Sequence, residues 1–230
     1  MTTEGLTAFW NNPEMAKRMG DRPADHRFTA LLDANPDIQR VLDVGCAGGR
    51  NTNHAAERGL DIFAIDLMPV MVDATRARLA AHVGTEEAQS RVWLGSANDP
   101  EAWVAIPEGS LDLVLFLGVL QDLPTAEAFK AALGLAAQAV KPGGHVLTAN
   151  FEASSNPDGV PLTPVEGVPY AFRGFGGPDR QMIMPDAATL DVWFAGQGFE
   201  TAVPTVVAEA ETEKGVRRTV NAHHRLPTTQ

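Results

Sequence analysis

A glycine-rich turn, followed about 20 residues later by an acid that closes an apolar segment, is the part of this sequence best equipped for chemistry. The turn is Val41-Leu42-Asp43-Val44-Gly45-Cys46-Ala47-Gly48-Gly49-Arg50, and the acid is Asp66. A strand that bends sharply into a helix needs residues without bulky side chains. The helix it opens presents free N–H groups and partial positive charge to polar or anionic ligand groups. A carboxylate at the end of the neighbouring strand can accept both hydroxyls of a ribose. The pair therefore predicts a crevice for a nucleoside-like ligand at the carboxyl ends of two adjacent strands.

The surrounding elements place these groups. The opening, Thr2 to Asn35, reads as helical and amphipathic, with Phe28, Leu31 and Leu32 on one face and Asn35-Pro36 as its stop. Arg40 to Val44 reads as a strand, Arg50 to Arg58 as a helix, and Asp61 to Ile65 as a second strand ending at Asp66. Pro69 opens a helix to about His82, at a position where its missing N–H costs nothing. Arg91 to Leu94 is a third strand and Leu111 to Leu117 a fourth, its nearly continuous apolar run fitting a strand covered on both faces. Thr125 caps a helix with Phe129, Leu133, Ala137 and Val140 on one face, ended by Pro142-Gly143-Gly144, before a fifth strand from His145 to Phe151.

Glu152 to Pro185 breaks this rhythm. A segment this long and rich in Pro and Gly is either a functional loop or a connector. A helix from Asp186 to Gln197, ended by Gly198, leads to strands at Phe199 to Val207 and Gly215 to Leu226. The turn between them, Glu211 to Lys214, is too short for a helical crossover, so these strands should pair antiparallel. The fold class expected is α/β: a Rossmann-like, seven-stranded, mostly parallel sheet with helices on both faces and the last strand antiparallel.

Composition bounds the partners. The formal net charge of −11 argues against a general nucleic-acid binder, which needs clustered cations, though it leaves room for a local basic pocket. No apolar run reaches the roughly 20 residues that span a bilayer. Met1 to Phe9 shows no basic stretch leading into an apolar one, so a cytoplasmic protein is expected. The single cysteine, Cys46, excludes an internal disulfide and Cys-rich zinc sites, and no metal is expected. His223 and His224, adjacent on a strand and half exposed, point to opposite faces and cannot chelate together.

Asp43-Val44-Gly45-Cys46-Ala47-Gly48-Gly49 resembles motif I of class I S-adenosylmethionine-dependent methyltransferases, written D/E-x-G-x-G-x-G. Asp66 matches that family's ribose-binding acid, and Gly95-Ser96-Ala97-Asn98 is similar to its adenine-contacting segment. Leu111 to Leu120 is similar to the fourth-strand motif, and Val140-Lys141-Pro142-Gly143-Gly144-His145-Val146-Leu147 to the family's entry into the fifth strand. The likeness runs from Gln39 to Leu226. It implies S-adenosyl-L-methionine as cofactor, held by Asp43, Gly45, Cys46, Ala47, Gly49, Asp66, Leu67, Met71, Ser96, Ala97, Asn98, Leu117 and Gly118, and methyl transfer to a small-molecule acceptor.

Two departures stand out. The middle glycine of the motif is Ala47, whose methyl is tolerable only at negative φ with room left by the ligand. Ser96 stands where an acid is common, leaving adenine recognition to Asn98, the backbone N–H of Ala97, or Asp99.

The expected organisation is one methyltransferase domain with an N-terminal helical cap (1–37), a cofactor-binding core (38–151), a substrate-lid insertion (152–185), read from its place after the fifth strand on the ligand side of the sheet, and a C-terminal helix with an antiparallel strand pair (186–230). Gln121, Tyr170, Arg173 and Arg180 are the candidates for contact with the acceptor, and no catalytic base is marked. Several residues carry two readings. Asp43 either caps its loop or shapes the site, and Cys46 is read as a small buried residue rather than a nucleophile. Met68 and Met71 line the adenine pocket or pack the core, and Gln121 and Asp122 form a helix-entry loop or touch ligand. His26 and Arg27 lie at the surface or cover the cofactor, and His145 is structural. Two other functions remain open: a protein that binds S-adenosylmethionine or its demethylated product without chemistry, and a nicotinamide-dependent oxidoreductase. The latter's G-x-G-x-x-G pattern meets Ala47 and Arg50 at its second and third glycines.

Overall fold

A computed structural model describes residue 7, residues 9–175 and residues 180–228. The start of the expected N-terminal helix and residues 176–179 of the Pro/Gly-rich segment lie outside the described residues. One sheet organises the chain, with strand order β3-β2-β1-β4-β5-β10-β9. The strands are β1 (Arg40–Val44), β2 (Asp61–Asp66), β3 (Val92–Leu94), β4 (Leu111–Leu117), β5 (Val140–Phe151), β9 (Glu200–Glu211) and β10 (Val216–Arg225). The first five pair parallel, while β10 runs antiparallel to both β5 and β9. The order reverses between β1 and β4, the switch point where an open α/β sheet forms its crevice.

Strand alternation explains how both faces are covered. On β4, Leu113 and Leu115 join the cluster of Phe28, Leu32, Val41 and Leu79. Val114 and Phe116 face the other way, into a cluster with Phe129, Leu133, Trp193 and Phe194. Asp112, one residue into the same strand, accepts the backbone N–H of Gln39 and of Arg40 and pairs with Lys141, which fixes the entry of β1 against β4.

The opening region is not one helical run: beyond a helical turn that includes Thr7, Phe9 and Trp10, the described residues form two further helices. They are α1 (Pro13–Gly20), capped by the Asn12 side chain, and α2 (His26–Ala34), capped by Asp25. Pro23 in the link explains the break, since the residue before proline avoids the helical region. The cap docks closely on the glycine-rich turn. A Cβ on Gly48 would stand 2.0 Å from the Ala16 carbonyl oxygen and 2.4 Å from the Gly20 nitrogen. Arg27 ties α2 to the sheet through the Thr148 carbonyl and the Asn221 side chain.

Other elements depart from the expected boundaries. The core helices are α3 (Arg50–Glu57), α4 (Pro69–Val83), α6 (Ala126–Ala139) and α7 (Ala187–Ala195). An unexpected short helix, α5 (Thr85–Arg91), precedes β3, which starts at Val92. The expected terminator Pro142-Gly143-Gly144 lies inside β5, so α6 ends at Ala139. Val140 then belongs to the strand, and Ala132 and Ala136, rather than Ala137, complete the buried helix face. The segment 152–185 contains a second, three-stranded antiparallel sheet of β6 (Thr163–Pro164), β7 (Ala171–Arg173) and β8 (Gln181–Ile183). His224 is buried rather than half exposed: its ring stacks on Phe194 at 3.9 Å and meets Asp191 at 2.9 Å.

Candidate cofactor and acceptor crevice

The first βα turn is strapped to its neighbour strand. The N–H groups of Gly45 and Cys46 both donate to the Ile65 carbonyl. Gly45 takes φ 73°, and a Cβ there would stand 2.5 Å from Val119, so glycine is required on both counts. Ala47, expected at negative φ, adopts φ 50° instead. Three contacts hold it there: its N–H donates to Asp66 at 2.9 Å, its carbonyl accepts the Thr75 hydroxyl at 2.8 Å, and Gly48 is pinned under α1. The left-handed region costs an L-residue roughly 1–2 kcal/mol, so the turn stores strain that these contacts hold in place.

Asp66 is 8% exposed and uses both carboxylate oxygens, one for the Ala47 N–H and one for the Met68 N–H. Each oxygen keeps further acceptor capacity, and the residue lines the crevice. Burial raises its pKa against the pull of the Met68, Ala47 and Leu67 N–H groups, and the charge of Asp122 raises it further. Asp43 lies behind the turn, fully buried, and accepts the Thr52 hydroxyl at 2.8 Å. Burial pushes its carboxyl up to about 6, with Asp66 adding to the rise while the Thr52 hydroxyl and Arg50 oppose it. Cys46 is buried against Thr75, and burial drives its thiol well up, so it carries no thiolate.

The crevice has a volume near 1110 Å³, large enough for a nucleoside-sized cofactor together with a second small molecule. Gly45, Ala47, Asp66, Leu67, Met71, Ser96, Ala97, Leu117 and Gly118 all stand on its wall, as do Met68, His26 and Arg27. Asp43, Cys46, Gly49 and Asn98 stand behind it; the Asn98 carbonyl oxygen accepts the Ser96 hydroxyl at 2.7 Å. Gly118 takes φ 97° beside open space, where a Cβ would meet nothing within 4 Å.

Of the acceptor-side candidates, Gln121 and Arg180 line the crevice. Gln121 accepts the Phe151 N–H and so fixes the end of β5. Arg180 is buried, pairs with Asp122 at 2.6 Å and stacks under Phe9, Trp10 and Phe175. Asp122 also accepts the Trp10 indole N–H, and burial raises its pKa despite Arg180. Tyr170 and Arg173 lie off the crevice wall: Tyr170 packs edge-on against Trp193, and Arg173 is exposed on β7.

Sequence reasoning missed Trp10, Arg22, Asn150 and Arg217, all on the wall. Asn150 is 1% exposed beside the cavity, and neither side-chain amide atom bonds to a described residue. Its only signal was its place at the carboxyl end of the fifth strand.

A glycine-strapped first turn, a ribose-capable acid on the next strand and a helical cap over both define a nucleoside-binding α/β protein of the switch-point type. Residues 15–202 match the family model described as "Methyltransferase domain", and the chain belongs to that family. It is 30% identical over 202 residues to the ubiquinone biosynthesis O-methyltransferase of Nitrosococcus oceani, covering 81% of this chain and 78% of that protein. It is 32% identical over 108 residues to an uncharacterised methyltransferase of Mycobacterium tuberculosis, covering 47% of this chain and only 38% of the relative. Among solved structures, the fold is shared with the 1,6-didemethyltoxoflavin-N1-methyltransferase of Burkholderia thailandensis, with a TM-score of 0.67 at 19% identity over 97% of this chain and 86% of that one. It is shared also with the cyclase SpnF, with a TM-score of 0.66 at 16% identity over 98% and 96% of the two chains.

Two consequences are measurable. Ala47→Gly relieves the left-handed backbone and should stabilise the fold by about 0.5–1 kcal/mol in urea unfolding, strain relief exceeding the added chain entropy. Asp43 begins to lose its proton near 3.8 when unfolded and about 6 when folded, so stability falls as pH rises between those values. Asp43→Asn keeps an acceptor for Thr52 and removes the titration. Its stability should fall less than the parent's across this window and exceed the parent at neutral pH by on the order of 2–3 kcal/mol, at about 1.4 kcal/mol per unit.

Proposed function

We propose that this protein transfers a methyl group from S-adenosylmethionine to a small-molecule acceptor within the crevice. The observation that carries the reading is Asp66: a buried acid, anchored by the N–H groups of both flanking βα turns, with free acceptor capacity on the cavity wall. Asp66 would hold the ribose hydroxyls, and Ser96 and Ala97 would border the base. When bound, the cofactor supplies a methyl group activated by a sulfonium charge. Asp66, on the wall with no cationic partner among the described residues, favours a cation there.

The chain's own contribution is positioning. Trp10, held by Asp122, and Phe9, over Arg180, close the cap side and exclude water, while Gln121 fixes the end of β5 where the acceptor would sit. Holding two reactants in line can lower a barrier by several kcal/mol. Asp122 is engaged by Arg180 and Trp10, so we assign it to the architecture of the site rather than to proton removal. The segment 152–185 reaches the crevice through Pro157, Asp158, Phe175 and Arg180, which supports its reading as an acceptor-side cover. Family membership displaces the nicotinamide-dependent alternative. Binding without methyl transfer is the remaining rival, and the sharing of this fold by a cyclase keeps it in view. Cys46, a buried free thiol, fits a reducing compartment, and we place the protein in the cytoplasm.

Calorimetry and a product assay test this reading. S-adenosylhomocysteine should bind the parent protein, and Asp66→Ala should weaken it by roughly 1.5–3 kcal/mol, the range for a hydrogen bond to a charged group. Incubation with S-adenosylmethionine and a panel of small hydroxyl, amine and thiol acceptors should release S-adenosylhomocysteine with at least one of them. Binding without product across the panel would favour the non-catalytic rival.

A further inference from the structure

The acidity of the chain stops at the crevice. Overall, 18 Lys and Arg face 29 Asp and Glu, yet seven of those cations and only six of those acids border the cavity. Four of the seven, Arg18, Arg22, Lys214 and Arg217, pair with no carboxylate among the described residues. Arg22, in the link between α1 and α2, and Arg217, on β10, form no side-chain hydrogen bond or ion pair with any described residue. Both stand on the cavity wall, one from the cap and one from the antiparallel end of the sheet.

They are also crowded by their own kind. The Arg22 guanidinium is pushed below its ordinary range, first by partial burial and then by the like charges of Arg18, Arg50 and Arg217. Arg18 is satisfied only by the Met15 sulfur, and Arg50 by the Pro23 carbonyl with Asp25 at 3.9 Å. Two crevice acids without partners, Asp158 and Glu213, lie after β5 and in the β9–β10 turn, but the charges that bear on Arg22 are those three arginines. Cations held together without a counter-ion repel, and an anion seated among them relieves that repulsion while pairing in the planar geometry guanidinium offers to carboxylate and phosphate.

We propose that Arg22 and Arg217 form an anion clamp at the crevice mouth, and that the methyl acceptor is a small molecule carrying a carboxylate or phosphate that this clamp seats. The assignment rests on the methyl-transfer reading for the word acceptor, but the clamp itself does not. A cationic mouth on an acidic protein also draws an anionic substrate out of a field that otherwise repels it. The anionic group would stay at the mouth, bridging cap and sheet, while the rest of the molecule reaches the cofactor side of the same cavity.

The test is calorimetric titration at constant ionic strength, chloride making up the balance, with inorganic phosphate in one arm and benzoate in the other. Both arms are run on the protein alone and on the protein loaded with S-adenosylhomocysteine. The parent should bind at least one anion saturably, and that arm names the acceptor's charged group. The double variant Arg22→Gln, Arg217→Gln should weaken it at least tenfold, with Arg22→Lys intermediate and S-adenosylhomocysteine affinity changed less than twofold. Both arginines are exposed, so the variants should fold, which circular dichroism checks. Absence of saturable binding in both arms, or equal binding by parent and double variant, would overturn the clamp. Anion binding that depends on these arginines, in a protein that never takes S-adenosylhomocysteine, would overturn methyl transfer and leave the clamp standing.

Discussion

The Asp66 carboxylate is the constraint on which the rest of the site depends. One oxygen takes the N–H of Ala47 from the turn after β1, and the other takes the N–H of Met68 from the turn after β2. Together with the Gly45 and Cys46 bonds to the Ile65 carbonyl, these contacts hold the two turns side by side, and the acid remains on the cavity wall. The arrangement explains why a residue with a Cβ can hold a left-handed conformation at position 47. A hydrogen bond to a charged acceptor contributes about 1.5–3 kcal/mol, enough to offset the backbone cost. Binding and architecture use the same carboxylate, so a substitution there disturbs both.

The cap packs directly on the glycine-rich turn. Gly20 and Gly48 bring α1 and the turn into backbone contact, a closeness that a side chain on either would forbid. On the far side, Arg27 reaches across to β5 and β10, and Arg180 anchors Asp122 beneath the rings of Phe9, Trp10 and Phe175. This part of the crevice wall is therefore assembled from segments distant in sequence: the cap, the end of β5, Arg180 before β8 and the β9–β10 hairpin.

The cofactor half was legible in the sequence because local rules decide it. An apolar run before Gly45 reads as a strand, the glycines as a turn, and Asp66 as the acid closing the next strand, so the turn and its acid could be named from spacing, while the other wall positions came from the likeness to class I methyltransferases. The acceptor half was not legible, because it depends on which distant segments meet. Nothing near Arg217 marks it as a neighbour of Arg22, and Tyr170 and Arg173, equally polar and aromatic, face elsewhere. Local errors had local causes. The helix Thr85–Arg91 carries one buried residue, Ala88, and so no apolar periodicity. Pro142-Gly143-Gly144 signals a break, yet the glycines let β5 begin early beside Leu111. Strand alternation alone places His224 outward or inward with equal ease, and only the packing of α7 through Phe194 decides it.

The most direct test is a crystal structure of the protein with S-adenosylhomocysteine bound. The account predicts the ribose hydroxyls against Asp66 and the purine beside Ser96 and Ala97, with Ala47 still at positive φ. Ligand density outside the β1–β4 switch point, or a ribose turned away from Asp66, would contradict it.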